Sequence, residues 1–165
     1  GTRFVLLGDG SQRRALEAVA GGATNVEFRG LVDEATYPNV LAAADVLLVN
    51  ERATIIDMSL PGKLTSYFVA GRPVLAAVHA AGATAREVLQ SGAGLVVPPE
   101  DPEALVSALW RFEREPELGP TLADAGVAYA EAQLSPAACL ARAGAFVTAL
   151  LAGQPIAAVE GPAPS

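Results

Sequence analysis

The sequence predicts an α/β protein built on a Rossmann-like, doubly wound parallel sheet, with about five strands and extra C-terminal helices. Three observations predict it. Short, unbroken apolar runs alternate with helical patterns. Glycines stand where those helices should stop. After Pro98-Pro99 the strands cease and only helical patterns follow. Unbroken apolar runs suit strands covered on both faces, as parallel sheets require, and strand–helix alternation is the mark of an α/β architecture.

Residues 3–8 (RFVLLG) read as the first such strand, ending in Gly8-Asp9-Gly10. Ser11 is the expected N-cap of a helix over 12–20, stopped by Gly21-Gly22. Residues 25–30 (NVEFRG) form the next strand. A helix over 38–44 follows, with Pro38 tolerated in its first turn. Residues 45–50 (DVLLVN) are a third strand. An irregular stretch, 51–60, leads to Pro61-Gly62 and a short helix over 63–70, ended by Gly71. Residues 72–78 return to the sheet, 83–91 form a helix closed by Gly92, and 93–97 are the last strand. Asp101 or Glu100 caps a helix over 102–114, in which Leu105, Leu109 and Phe112 share one face. Helices near 118–128 and 136–151 complete the pattern. In the last, Leu140, Val147 and Leu151 form an apolar stripe interrupted by Gly144. Tyr67, Phe68 and Trp110 fall within helical patterns and are expected in the core.

With 165 residues the chain fits one domain, expected over 1–152 with a flexible tail over 153–165. A doubly wound sheet usually has six strands. The sixth would precede Arg3. The chain also starts at Gly1, and its one methionine is Met58. The expectation is a fragment of a longer protein.

A net charge of −7 argues against a nucleic-acid partner, which needs basic surface. No apolar run approaches the roughly 20 residues of a membrane span. Cys139 is the sole cysteine, so no internal disulfide forms and a cytoplasmic setting is the simplest reading. Abundant alanine reads as the GC-rich coding of a bacterial gene.

Ligands of open α/β sheets bind at the carboxyl ends of the strands. The loops 8–11, 30–32, 50–66 and 78–84 are therefore the candidates. Gly8-Asp9-Gly10 is either a close-approach turn or an ordinary tight one; Arg13, three residues after Gly10, breaks a dinucleotide fingerprint. Gly62, Lys63, Leu64, Thr65 and Ser66 open a helix after the irregular loop. Free N–H groups, a lysine and two hydroxyls there suit a pyrophosphate, or else mark an ordinary helix start. Lys63 is the only lysine of the chain. Leu64 occupies the Ser/Thr place of a P-loop, which excludes that chemistry. Glu51 stands just past a strand end, as a ligand contact or a solvated acid; Asp57 is similar. His79 has no partner set for a triad, and no Cys/His spacing suits a metal. No catalytic residue is assigned.

The order of Ala42-Ala43-Ala44-Asp45-Val46, Leu60-Pro61-Gly62-Lys63-Leu64-Thr65-Ser66-Tyr67 and Ala70-Gly71-Arg72-Pro73-Val74 resembles the GT4 family of retaining glycosyltransferases. Within it, the resemblance is to members with a Pro-Ser-Lys-Leu motif, found in capsule and exopolysaccharide synthesis. Residues 4–10, 26–32, 92–94 and 99–105 fit the same family, so the likeness covers about 3–150. It implies a GT-B architecture, in which two Rossmann-like domains face a cleft and the C-terminal one holds a nucleotide diphosphate sugar. Gly8 and Gly10 join the donor-binding set as a close-approach turn, and the remaining residues are carried over by position. Gly30, Leu31 and Val32 lie beside the base, Gly62, Lys63, Leu64 and Thr65 near the diphosphate, and Glu51 near the donor sugar. Ser66 replaces a ribose-binding glutamate and Gly62 a serine, so both contacts are weakened. No metal or other cofactor is implied. The implied enzyme is hexosyltransferase-like, with a glycan or lipid-linked acceptor held by a separate N-terminal domain, peripheral association with the inner face of the membrane, and an isolated chain that is inactive. A sugar-nucleotide 2-epimerase and a non-enzymatic nucleotide-binding or interaction module are the alternatives.

Overall fold

The computed structural model describes residues 1–54 and 62–153. Two compact units divide the chain, Gly1–Val40 and Leu41–Ser165. Among the described residues there are five strands, and every ladder between them is parallel. They form a two-stranded sheet, β1 with β2, and a three-stranded sheet in the order β3-β4-β5.

In the first unit, β1 (Phe4–Leu7) and β2 (Val26–Arg29) pair with Phe4 opposite Val26, and α1 (Arg13–Ala20) connects them. Gly21 ends α1 with φ +56, as the glycine signal required. Ser11 is not the cap: Gln12 holds that position and gives no side-chain hydrogen bond. The turn is closed instead by Arg13, whose guanidinium donates to the carbonyls of Gly8 (2.8 Å) and Arg29 (3.0 Å). The expectation of a first strand covered on both faces also fails, since Val5 and Leu6 are exposed. A two-stranded sheet has no inner strand, and none of the side chains of residues 1–40 is buried. Polar ties hold the ladder edge instead, with Glu27 paired to both Arg3 and Arg29.

A short helix, α2 (Tyr37–Ala42), leads to the second unit; Asp33 accepts the Thr36 N–H just before it, at 2.7 Å. That unit holds β3 (Leu47–Asn50), α3 (Lys63–Val69), β4 (Val74–Ala77), α4 (Ala83–Ser91) and β5 (Gly94–Val97). After the last strand come α5 (Pro102–Arg114), α6 (Leu118–Tyr129), a turn of π-helix (Ala130–Leu134) and α7 (Pro136–Leu151). The inner strand, β4, is buried at all four positions. Val74, Ala76 and Val78 share one face of it and meet Leu64 and Phe68 of α3, Ala85 and Val88 of α4, and Val49 of β3. Leu75 and Ala77, on the opposite face, are buried too. Among the described strands only β4 is buried at every position; the apolar runs at 3–8 and 45–50, expected to be buried as well, are exposed at two of the four positions of β1 and of β3.

Small residues let the helices close on this core. Gly126 of α6 leaves room for Phe68 and Ala93, and the Phe68 and Tyr129 rings meet edge to face at 6.0 Å. Asp101 caps α5 by accepting the Ala104 N–H at 2.9 Å. One expectation of a buried apolar residue is corrected. Trp110 is 47% exposed, with the Arg114 guanidinium 5.4 Å from its ring centre. Leu140, Val147 and Leu151 are exposed, and Ala149 is the buried residue of α7. Among the described residues no single helix is long and apolar enough to cross a membrane. The expected tail, from residue 154 onward, lies outside the described residues.

Candidate functional site

Because β3, β4 and β5 run parallel, the segments that follow them emerge at one edge of the second unit's sheet. Three side chains mark that edge. Glu51 directly follows β3, His79 follows β4 by one residue, and Glu100 lies in the link from β5 to α5. The Glu51 N–H donates to the Ala77 carbonyl at 3.0 Å, which extends the β3–β4 ladder by one bond and fixes where its side chain starts. The half-buried carboxylate then accepts a 2.7 Å hydrogen bond from the hydroxyl of Thr84, a buried residue in the first turn of α4.

The segment after Glu51 is tied from a second side. Glu100 accepts the Ala53 N–H at 3.3 Å, and does so from φ +59, among the described residues the one non-glycine in the left-handed region. His79 turns inward on its own loop, with Nδ1 accepting the Ala81 N–H at 3.2 Å. A cleft of about 310 Å3 opens here, lined by Val78, His79, Ala80, Val96, Val97, Pro98 and Pro99. A larger groove, about 420 Å3, runs beside β5 between α4 and α5. It has one charged group, Arg111, which is already paired with Glu115, so the carboxyl edge is the better candidate.

The residues singled out around Gly62 divide. Gly62 and Lys63 are exposed at the start of α3, as is Thr65, while Ser66 is half-buried. Leu64 is 1% exposed and belongs to the core, so only its backbone is available to a ligand. No side chain caps α3, and a Cβ on Gly62 would meet open space, so neither φ nor packing demands glycine there. With seven residues α3 carries a short dipole. Pro61 and Asp57 lie outside the described residues.

In the first unit, Gly8 and Gly10 follow β1, and Gly30, Leu31 and Val32 follow β2, so these two segments share a carboxyl edge of their own. Leu31 is 80% exposed and Val32 half-buried. The Gly8 and Arg29 carbonyls both accept from the Arg13 guanidinium, and the Gly8 N–H donates to the Arg29 carbonyl at 3.1 Å, so the polar backbone of Gly8 is engaged within the unit. Among the described residues no three His, Cys, Asp or Glu side chains gather as a metal set.

Residues 1–115 match the family model described as "Glycosyl transferases group 1". The chain belongs to the group 1 glycosyl transferases. That stretch contains every strand and every segment at the carboxyl edges. Solved structures place this glycosyl transferase chain within the GT-B fold. Sucrose-phosphate synthase from Thermosynechococcus elongatus matches 91% of it at 25% identity and a TM-score of 0.73. WaaG, a glycosyltransferase involved in lipopolysaccharide biosynthesis, matches 80% at 24% identity and TM-score 0.64. The Anabaena protein HepE, solved in complex with UDP-glucose, matches 79% at 21% identity and TM-score 0.65. The chain spans only 39%, 34% and 36% of these proteins' own lengths. No curated protein matches it.

Thr84 and Glu100 were not foreseen as site residues. Thr84 lies within a candidate loop, but nothing in its spacing shows that its hydroxyl leaves its own helix. In the sequence Glu100 stands out only as a capping alternative to Asp101.

Proposed function

We propose that this chain is the donor-binding part of a GT4-type glycosyltransferase that moves a sugar from a nucleotide diphosphate to a glycan or lipid-linked acceptor with retention of configuration. The family match over residues 1–115, which hold all the candidate segments, carries this reading. The proposed donor domain spans 1–152. Lys63 and the free N–H groups around Gly62 and Thr65 take the diphosphate, with Ser66 nearby for the ribose. Gly8, Gly10, Gly30, Leu31 and Val32 border the nucleoside, and the Glu51 carboxylate accepts from hydroxyls of the donor sugar. Cations and backbone donors stabilise the leaving diphosphate as charge develops on it. The acceptor belongs to a preceding domain, and the setting is the cytoplasmic face of a bacterial membrane, in exopolysaccharide synthesis. That HepE was solved with UDP-glucose supports a nucleotide-sugar ligand.

The test is calorimetric titration of nucleoside diphosphates into the full-length protein and its Lys63→Ala variant. Losing one charged contact should weaken binding by about tenfold or more. Equal affinity removes Lys63 from the site. The isolated 165-residue chain is expected to bind nucleoside diphosphate weakly and to turn nothing over. Consumption of a nucleotide sugar without acceptor would favour epimerisation instead.

A further inference from the structure

The hydroxyl of Thr84 is in an unusual position for a residue at the start of a helix. Ser and Thr there commonly bond to their own helix's backbone. In α4 the N-cap is Gly82, no side chain caps the helix, and Thr84 sends its proton out to the Glu51 carboxylate at 2.7 Å. The two residues are 33 positions apart. Thr84 is 3% exposed and its neighbours on the helix, Ala85 and Val88, are fully buried. Valine has the same shape and would suit that apolar setting without a polar atom to satisfy. The hydroxyl is therefore explained by its partner rather than by packing.

We propose that Thr84 is a positioning residue that aims Glu51 at the donor sugar. This rests on the donor reading above. With its backbone fixed by the Ala77 carbonyl and its carboxylate oxygen Oε1 fixed by Thr84, Glu51 loses the rotamer freedom of an exposed glutamate before any ligand arrives. A carboxylate so held accepts from sugar hydroxyls but repels phosphate. Thr84 thus serves the sugar end of the donor and not its diphosphate.

The test compares UDP, GDP, ADP and dTDP with their glucose conjugates, titrated into the full-length protein and its variants. Thr84→Val should weaken the glucose conjugate that binds best by about 3- to 10-fold and leave the matching diphosphate unchanged. Thr84→Ser should retain wild-type affinity for both. Melting curves check folding. If Thr84→Val melts early, Glu51→Ala and the Glu51→Ala/Thr84→Val double variant decide: Thr84→Val adding nothing to Glu51→Ala supports the coupling, and additive losses overturn it. Equal weakening of conjugate and diphosphate, or of neither, while Glu51→Gln weakens the conjugate, overturns the role of Thr84 and leaves the donor reading standing. No effect of Glu51→Gln, or no conjugate bound by the wild type, overturns the inference at its base; the Lys63→Ala titration then judges the donor reading separately.

Discussion

Gly94 lies so close to Val74 that a Cβ on it would collide with the Val74 carbonyl oxygen. The two are partners in the β4–β5 ladder, where β5 begins. The obstacle is backbone of the fully buried inner strand, which cannot move aside as a side chain would. Gly94→Ala should therefore cost about 3 kcal/mol, at or above the usual range for overpacking. A denaturant titration of the chain measures it, and a change under about 0.5 kcal/mol would show that the ladder yields.

Tyr129 supplies a prediction in pH. Its phenol is pushed up from 10.0 to about 12, chiefly by burial, with the nearby Glu87 carboxylate adding charge repulsion and a hydrogen bond; Arg142 acts weakly the other way. Between those two values an unfolded chain has lost the proton and the folded one keeps it. Stability contributed by the neutral phenol is thus complete below pH 10 and declines as pH rises through 12. Melting temperature should fall more steeply over that window in the wild type than in Tyr129→Phe. Parallel curves would show that Tyr129 does not carry the dependence.

Glu100 holds a left-handed backbone that favours glycine. Glu100→Gly and Glu100→Ala both remove the acceptor for the Ala53 N–H, but only glycine relieves the strain. Glu100→Gly should be more stable than Glu100→Ala by about 1 kcal/mol. Chemical denaturation with unchanged slope is the measurement, and equal midpoints would show that the conformation is not fixed.

Where the sequence could be read, the signal was local. Gly21 and Gly92 each end a helix in the left-handed region, and Asp101 caps its own helix three residues on. Periodicity, by contrast, does not report burial. Leu140, Val147 and Leu151 do share a helical stripe, yet the stripe does not say what covers it, and Ala149 makes the contact. Trp110 has a large apolar surface, but its ring lies beneath Arg114 at the surface. The π-turn at Ala130–Leu134 has no glycine or proline to announce it. In the candidate site, the sequence singles out Glu51 by its place just past a strand and Lys63 by its place at a helix start; the structure puts Glu51 half-buried at the strand edge and Lys63 exposed at the start of α3. Thr84 and Glu100 were not legible, because their partners lie 33 and 47 residues away and only the folded sheet brings them together.

The all-parallel pairing also governs how the chain must fold. Among the described residues no two strands pair as a hairpin: even the nearest ladder partners in the second unit, Val74 and Gly94, are separated by the whole of α4. Leu47 waits still longer for Val74, across α3. Each ladder requires a loop to close before any strand contact rewards it, so refolding is expected on the slow side, nearer seconds than microseconds. The central strand, β4, enters both ladders and is the natural point at which the two closures couple. Until both its neighbours arrive, Val74, Leu75, Ala76 and Ala77 form a wholly apolar ribbon with open edges, the segment of this chain most exposed to aggregation during folding.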